Sequence, residues 1–153
     1  MRRAAVAVLA LAVALGGCAT RDSGTIQLTP DQAADTYRSA MCRVLPTDST
    51  VDRALDGGDM DVIAEAARQR AEILSARGVT ISEQHAWPEG VAAVWQVDEA
   101  LADELAWVLE VADAPSLTDA RTASRPGAER RAVADRAVRA ALDLPLDDEE
   151  MCR

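Results

Sequence analysis

His85 is the only imidazole in a chain of 153 residues, so acid–base chemistry near neutral pH has a single histidine to draw on. It stands in Ser82-Glu83-Gln84-His85, which sets a hydroxyl, a carboxylate and a base within four residues. The segment around it lacks periodicity, and a solvated loop histidine is the expected outcome. A histidine-rich zinc or haem site is excluded by number alone. No phosphate-cradling loop, dinucleotide fingerprint or HExxH pair occurs. The run Asp56-Gly57-Gly58-Asp59-Met60-Asp61 approaches a calcium loop, but counting from Asp56 sets Gly58 and Met60 where oxygen ligands are needed. Asp147-Asp148-Glu149-Glu150 reads as a frayed, solvated acidic tail. The carboxylate pair of a glycoside hydrolase cannot be singled out among 26 acids. Trp87, Trp95 and Trp107 could line a ligand groove, but without any phenylalanine in the chain their expected role is core volume. No catalytic set, metal site or cofactor site emerges, and the chain is expected not to be an enzyme.

Sixteen basic residues, all arginine, face 26 acids, for a net charge of −10. A nucleic-acid partner is excluded, because phosphate contacts need a cationic face. The length fits one folded domain rather than two. Lysine, asparagine and phenylalanine are absent and alanine occurs 32 times, the codon signature of a very GC-rich bacterial genome.

The amino terminus reads as an export signal. Arg2 and Arg3 form a positive start, and residues 4–15 form an apolar stretch of twelve residues, too short to cross a bilayer as a stable helix. The stretch closes on Leu15-Gly16-Gly17-Cys18, which resembles the lipobox of bacterial lipoproteins. The resemblance implies thioether attachment of diacylglycerol to Cys18, cleavage after Gly17, and acylation of the new amino terminus with a fatty acid such as palmitate. The rest of a twin-arginine pattern is missing, so general secretion is the expected route. One acyl chain holds only marginally, at about 0.8 kcal/mol per buried methylene, whereas two or three keep a protein on the membrane.

Three segments follow from this reading: a signal peptide over residues 1–17, the lipidated Cys18 with a tether to residue 28, and a folded body over residues 29–153. The tether is polar, with glycine and serine, and ten extended residues reach at most about 35 Å. Beyond residue 17 there are 14 arginines against 26 acids, a charge of −12. Anionic headgroups repel such a body, so the lipid must hold it at the surface. Lipidation of Cys18 leaves Cys42 and Cys152 as a pair in an oxidising compartment, and they are expected to form a disulfide. Their spacing excludes a catalytic CxxC.

Helices must position these groups. Thr29-Pro30-Asp31-Gln32 is a capping box with proline at the first helical position. Ala33, Tyr37, Ala40, Met41 and Val44 then recur at helical spacing until Pro46. A short turn of helix covers residues 51–56. Asp59 caps a second long helix with Met60, Ile63, Ala67, Ala71 and Leu74 on one face and Gly78 as its stop. Pro88 is expected to open a third helix running to Asp113, about 26 residues and 39 Å long. Its apolar stripe of Val91, Val94, Leu101, Leu105, Val108 and Ala112 is flanked by Trp95 and Leu109 on one side and by Val97, Trp107 and Val111 on the other. Only Gln96, Glu99, Asp103 and Glu110 make a polar face, so this helix is the expected centre of the fold. Asp98 and Glu104 fall inside its apolar arc. Ser116 and Asp119 signal another short turn. Ser124-Arg125-Pro126 is expected to start the last helix, with Val133, Ala137, Ala140, Ala141 and Leu144 inward and Pro145 as its end. No segment alternates with period two, so no sheet is expected.

Charge patterning chooses neighbours. Residues 88–113 hold seven acids and no base, whereas residues 125–142 hold five arginines against Glu129 and Asp135. Antiparallel packing of these helices would bring opposite charges together, and Asp98 or Glu104 buried without arginine would cost several kcal/mol. The expected fold is all-α, an antiparallel four-helix bundle with short extra turns, closed by one disulfide.

The mature pattern as a whole resembles the small, uncharacterised lipoproteins of high-GC Gram-positive (actinobacterial) bacteria. Carrying the resemblance are the lipobox, Tyr37 ahead of Cys42, Trp87-Pro88 before a long helix, and Leu144-Pro145 before Cys152. It implies a lipid-anchored protein on the extracytoplasmic face of the cell membrane, and it supplies no catalytic residue. Two functions are compatible with these residues. One is a non-enzymatic binding or scaffold module for an envelope protein or component. The other is a small-ligand carrier or envelope hydrolase with a site near Trp87, His85 and the carboxylates of the third helix.

Overall fold

In a computed structural model, which describes residues 27–76, 81–83 and 85–153, every named element is helical. The Thr29 side chain accepts the Gln32 N–H and the Gln32 side chain accepts the Thr29 N–H, closing the capping box that opens α1 (Pro30–Val44). A single 3₁₀ turn, Leu45–Thr47, carries the chain past Pro46 into α2 (Thr50–Gly57). Asp59 accepts the N–H groups of Asp61 and Val62 and so starts α3 (Met60–Ser75). Then follow α4 (Ala93–Ala112), α5 (Leu117–Thr122), α6 (Ala128–Ala141) and α7 (Asp148–Met151). Among the described residues there is no strand, and only Gln27 and Ala86 form an isolated parallel bridge.

α4 is the centre of the fold, packed against α3, α5 and α6, while α2 lies against α3. The core gathers Tyr37, Met41 and Val44 of α1, Ile63, Ala67 and Leu74 of α3, Val94, Leu101, Trp107 and Val108 of α4, and Ala134 and Val138 of α6. Cys42 and Cys152 are disulfide-bonded with their α-carbons 5.5 Å apart, so the end of α1 meets the chain terminus. In the chain-entropy account, closing a loop this long contributes about 4 to 5 kcal/mol.

Several boundaries and faces differ from the sequence reading. Pro88 opens a pair of turns rather than a helix. Gly90 sits in the left-handed region at φ 93°, which interrupts helical hydrogen bonding and delays α4 to Ala93. α4 therefore spans 20 residues, about 30 Å. The last helix starts at Ala128, after Gly127 at φ 88°. A β-carbon on Gly127 would stand 3.1 Å from an Asp103 carboxylate oxygen and 3.4 Å from the Ala100 α-carbon, so this glycine lets the loop touch α4. α6 is also rotated from the expected face. Ala134, Val138, Arg139 and Leu142 are buried, whereas Val133, Ala137, Ala140 and Ala141 are exposed. The acidic tail is a capped helical turn, α7, in which Asp147 accepts the Glu150 N–H and Met151 is buried. Leu28, placed at the end of the tether, packs into the core and donates its N–H to the Ala86 carbonyl at 2.9 Å. α3 ends at Ser75; Gly78, its expected stop, lies outside the described residues, as do the signal segment and Cys18. Among the described residues no helix is long and apolar enough to cross a membrane.

Candidate functional site

Arg70 lies in the middle of the apolar face of α3, seven residues from Ile63 and four from Leu74, and is 1% exposed. Only a carboxylate brought to it from another element can make that tolerable. Glu104, on the buried face of α4 and 4% exposed, supplies one. Its Oε1 accepts from Arg70 Nε at 3.0 Å and from Nη2 at 2.7 Å. Arg70 Nη2 also reaches Asp48 Oδ1 at 2.5 Å, and Nη1 donates to the Val44 carbonyl and to Thr47 Oγ1. Every N–H direction of this guanidinium is thus taken.

α6 brings a second guanidinium. Arg131 donates through Nη1 to Glu104 Oε2 at 2.5 Å and through Nη2 to Asp48 Oδ2. Arg125, in the preceding loop, lies 3.4 Å from Glu104 Oε1, pairs with Asp52 at 2.7 Å, and sits 4.5 Å over the Trp107 ring. Three arginines and three carboxylates therefore balance in charge. Burial opposes a charge on Arg131, but Asp48 and Glu104 outweigh it and hold the guanidinium above its ordinary range. A second cluster ties α6 to both ends of the fold. Tyr37 donates its hydroxyl to Asp135 Oδ1 at 2.6 Å, and Arg139 bridges Asp135 and Asp148. Burial, then the Asp135 carboxylate, pushes the Tyr37 phenol far above its ordinary value, so it remains a donor.

Asp98, the other acid in the apolar arc of α4, meets no arginine among the described residues. It accepts the Ile81 N–H at 3.0 Å, the Ser82 N–H at 2.7 Å and the Ser82 hydroxyl, while Trp87 Nε1 donates to the Ile81 carbonyl at 3.2 Å. Ser82 is therefore committed to Asp98. The Nδ1 of His85 is buried and has no hydrogen-bond partner among the described residues. The hydroxyl, base and acid of this loop do not form a relay through that nitrogen. The tryptophans do not share a face: Trp107 is 4% exposed, Trp87 half-buried and Trp95 51% exposed. Among the described residues no group of three His, Cys, Asp or Glu side chains could hold a metal ion.

Chemically, then, the buried polar groups clamp helices to each other. Arg70 and Asp48 were not singled out by sequence reasoning, although an arginine at position 70, inside the stripe of Ile63, Ala67, Ala71 and Leu74, was a readable signal. The groups left facing outward are of another kind. Trp95 and Leu109, 51% and 49% exposed, flank exposed Ala102 and Ala106 on the outer face of α4, with Glu99 and Glu110 alongside. A shallow groove of about 430 Å³ beside Val62 is lined by Thr50, Asp61, Glu65, Ala66 and Gln69, and one of about 270 Å³ by Leu45, Pro46, Asp148, Glu149 and Cys152. Comparison of the chain with protein-family models, with curated proteins and with solved structures returned no match.

Proposed function

We propose that this protein is a lipoprotein of the extracytoplasmic membrane face, anchored through Cys18, that acts as a non-enzymatic binding or scaffold module of the envelope. One observation carries the reading. The charges at Arg70, Glu104 and Arg131 are spent on one another, while two large apolar side chains, Trp95 and Leu109, stand half in water. A site built for catalysis keeps a polar group aimed at substrate, whereas a module built for contact keeps apolar area outside. In the same reading α1, α3, α4 and α6 form an antiparallel four-helix bundle, with α2, α5 and α7 as its extra turns. The membrane partner is the lipid bilayer through the anchor, and the second partner is an envelope protein.

Palmitate labelling and membrane fractionation of the chain and of Cys18→Ala test the anchor. Labelled, membrane-bound wild type and unlabelled, released variant are expected; an unlabelled wild type in the cytosol overturns it. Pull-downs from the native envelope test the binding role, and repeated absence of any specific partner counts against it. The carrier or hydrolase reading gains nothing from the divergent tryptophans or from a Ser82 hydroxyl held by Asp98.

A further inference from the structure

The outer face of α4 joins two features that a solvated helix does not need together. Its apolar stripe runs from Trp95 through Ala102 and Ala106 to Leu109, all exposed. Fourteen residues at helical rise make this about 21 Å, or four turns. The two alanines form a low saddle between the larger side chains. The second feature is charge. Glu99 and Glu110 lie on the same exposed arc, 40 to 60° around the helix from Trp95 at about 100° per residue, and neither is in an ion pair among the described residues. On the flank of this face Asp103 already holds Arg130 at 2.9 Å.

Resting on the binding-module reading above, we propose that this face docks a cationic amphipathic helix of a partner protein. The partner's aliphatic side chains would sit over Ala102 and Ala106, between Trp95 and Leu109, with flanking lysines or arginines reaching Glu99 and Glu110. Charge selects this occupant. A body of charge −12 attracts a basic segment from a distance and repels an anionic lipid surface. A second copy could offer α6, where Val133, Ala137 and Ala140 are exposed beside Arg130 and Arg136, but it would bring the same net negative charge with it, as would any other face of this chain.

The probe is a synthetic amphipathic peptide of about 18 residues, leucine along one stripe and lysine on both flanks, with a glutamate-for-lysine control. Titrated onto the full chain, the lysine peptide is expected to bind, and to bind more weakly as salt rises. The double variant W95S/L109S should bind at least about ten-fold more weakly, whereas V62S, at another exposed apolar position beside acids, should stay within about two-fold. E99Q/E110Q, which leaves the apolar stripe intact, should flatten the salt dependence. Equal binding by W95S/L109S and wild type, equal binding of the glutamate peptide, or an unchanged salt dependence in E99Q/E110Q overturns the proposal.

A photo-crosslinking residue at position 95 or 62 of the full chain then reports the native occupant. Position 95 is expected to capture a protein through a lysine- or arginine-flanked amphipathic segment. Capture of a second copy, of residues 1–26 of the same chain, or of lipid alone overturns the proposal. A specific partner from position 62 with none from 95 overturns this surface and leaves the binding-module reading standing; no specific partner from either position counts against both.

Discussion

Each face of α4 carries an exception to the usual distribution of residue types. Inside, Glu104 is 4% exposed and meets Arg70, Arg125 and Arg131. Outside, Trp95 and Leu109 are about half exposed. Burying a large apolar side chain contributes roughly 1.5–3 kcal/mol and stripping water from an ion costs several, so neither face is explained by hydrophobicity alone. The inner face is explained by geometry: once Gly127 lets the α5–α6 loop reach Ala100 and Asp103, Arg131 is delivered to Glu104 and Asp48. The carboxylate then fixes how α3, α4 and α6 sit against one another. The difference teaches that at Glu104, Trp95 and Leu109 the position on the helix overrides side-chain type, while the rest of α4 follows it.

Glu104→Gln is the most direct way to break the comparison. It leaves three arginines facing one carboxylate fewer and should cost about 3–5 kcal/mol, read as a lower urea midpoint with unchanged slope. Adding Arg70→Met should recover part of that loss, because the two changes act on one pair. Additive losses would show that the pair is not coupled.

Tyr37 extends the inner polar system to α1. It is the only tyrosine, so tyrosinate absorbance reports it alone. Its folded value lies above its unfolded value of about 10, so its contribution is fully present below that pH and is lost as pH rises above it. Folded protein at pH 10–11 should show no tyrosinate signal until it unfolds, and Tyr37→Phe should lose about 1.5–3 kcal/mol at neutral pH while removing this alkaline slope. A normal tyrosinate titration in the folded state would contradict the bond to Asp135.

Smaller effects belong to the outer side. Trp95→Ser should cost about 1 kcal/mol or less, since half of the ring is already in water. Arg130→Ala removes an exposed pair with Asp103 and should change stability by less than about 1 kcal/mol. Thermal melts of the two variants against Glu104→Gln measure the contrast; a large loss in Trp95→Ser would mean that the outer face is a structural surface.

Some of the site was legible early. Asp98 and Glu104 stood in the apolar arc of α4, and the arginine-rich last helix was the natural source of a partner. Arg131 and Arg125 are that source. Arg70 and Asp48 escaped because their partners lie 34 and 83 residues away, at Glu104 and Arg131, beyond any local pattern. The face of α6 was misread for the same reason. Counting apolar residues favours Val133, Ala137 and Ala140, but Asp48 and Glu104 draw in Arg131, Asp148 of α7 meets Arg139, and the helix turns Ala134 and Val138 inward.

What the residues determined unaided is local. Thr29, Asp59 and Ser116 start helices because their side-chain oxygens satisfy N–H groups two or three residues ahead, and that chemistry needs no distant partner. The tertiary structure decided where α4 begins, which side of α6 faces inward, and which arginines close on Glu104. Those outcomes depend on summed contacts between segments far apart in the chain, where one ion pair or one close approach at a glycine outweighs a stripe of alanines.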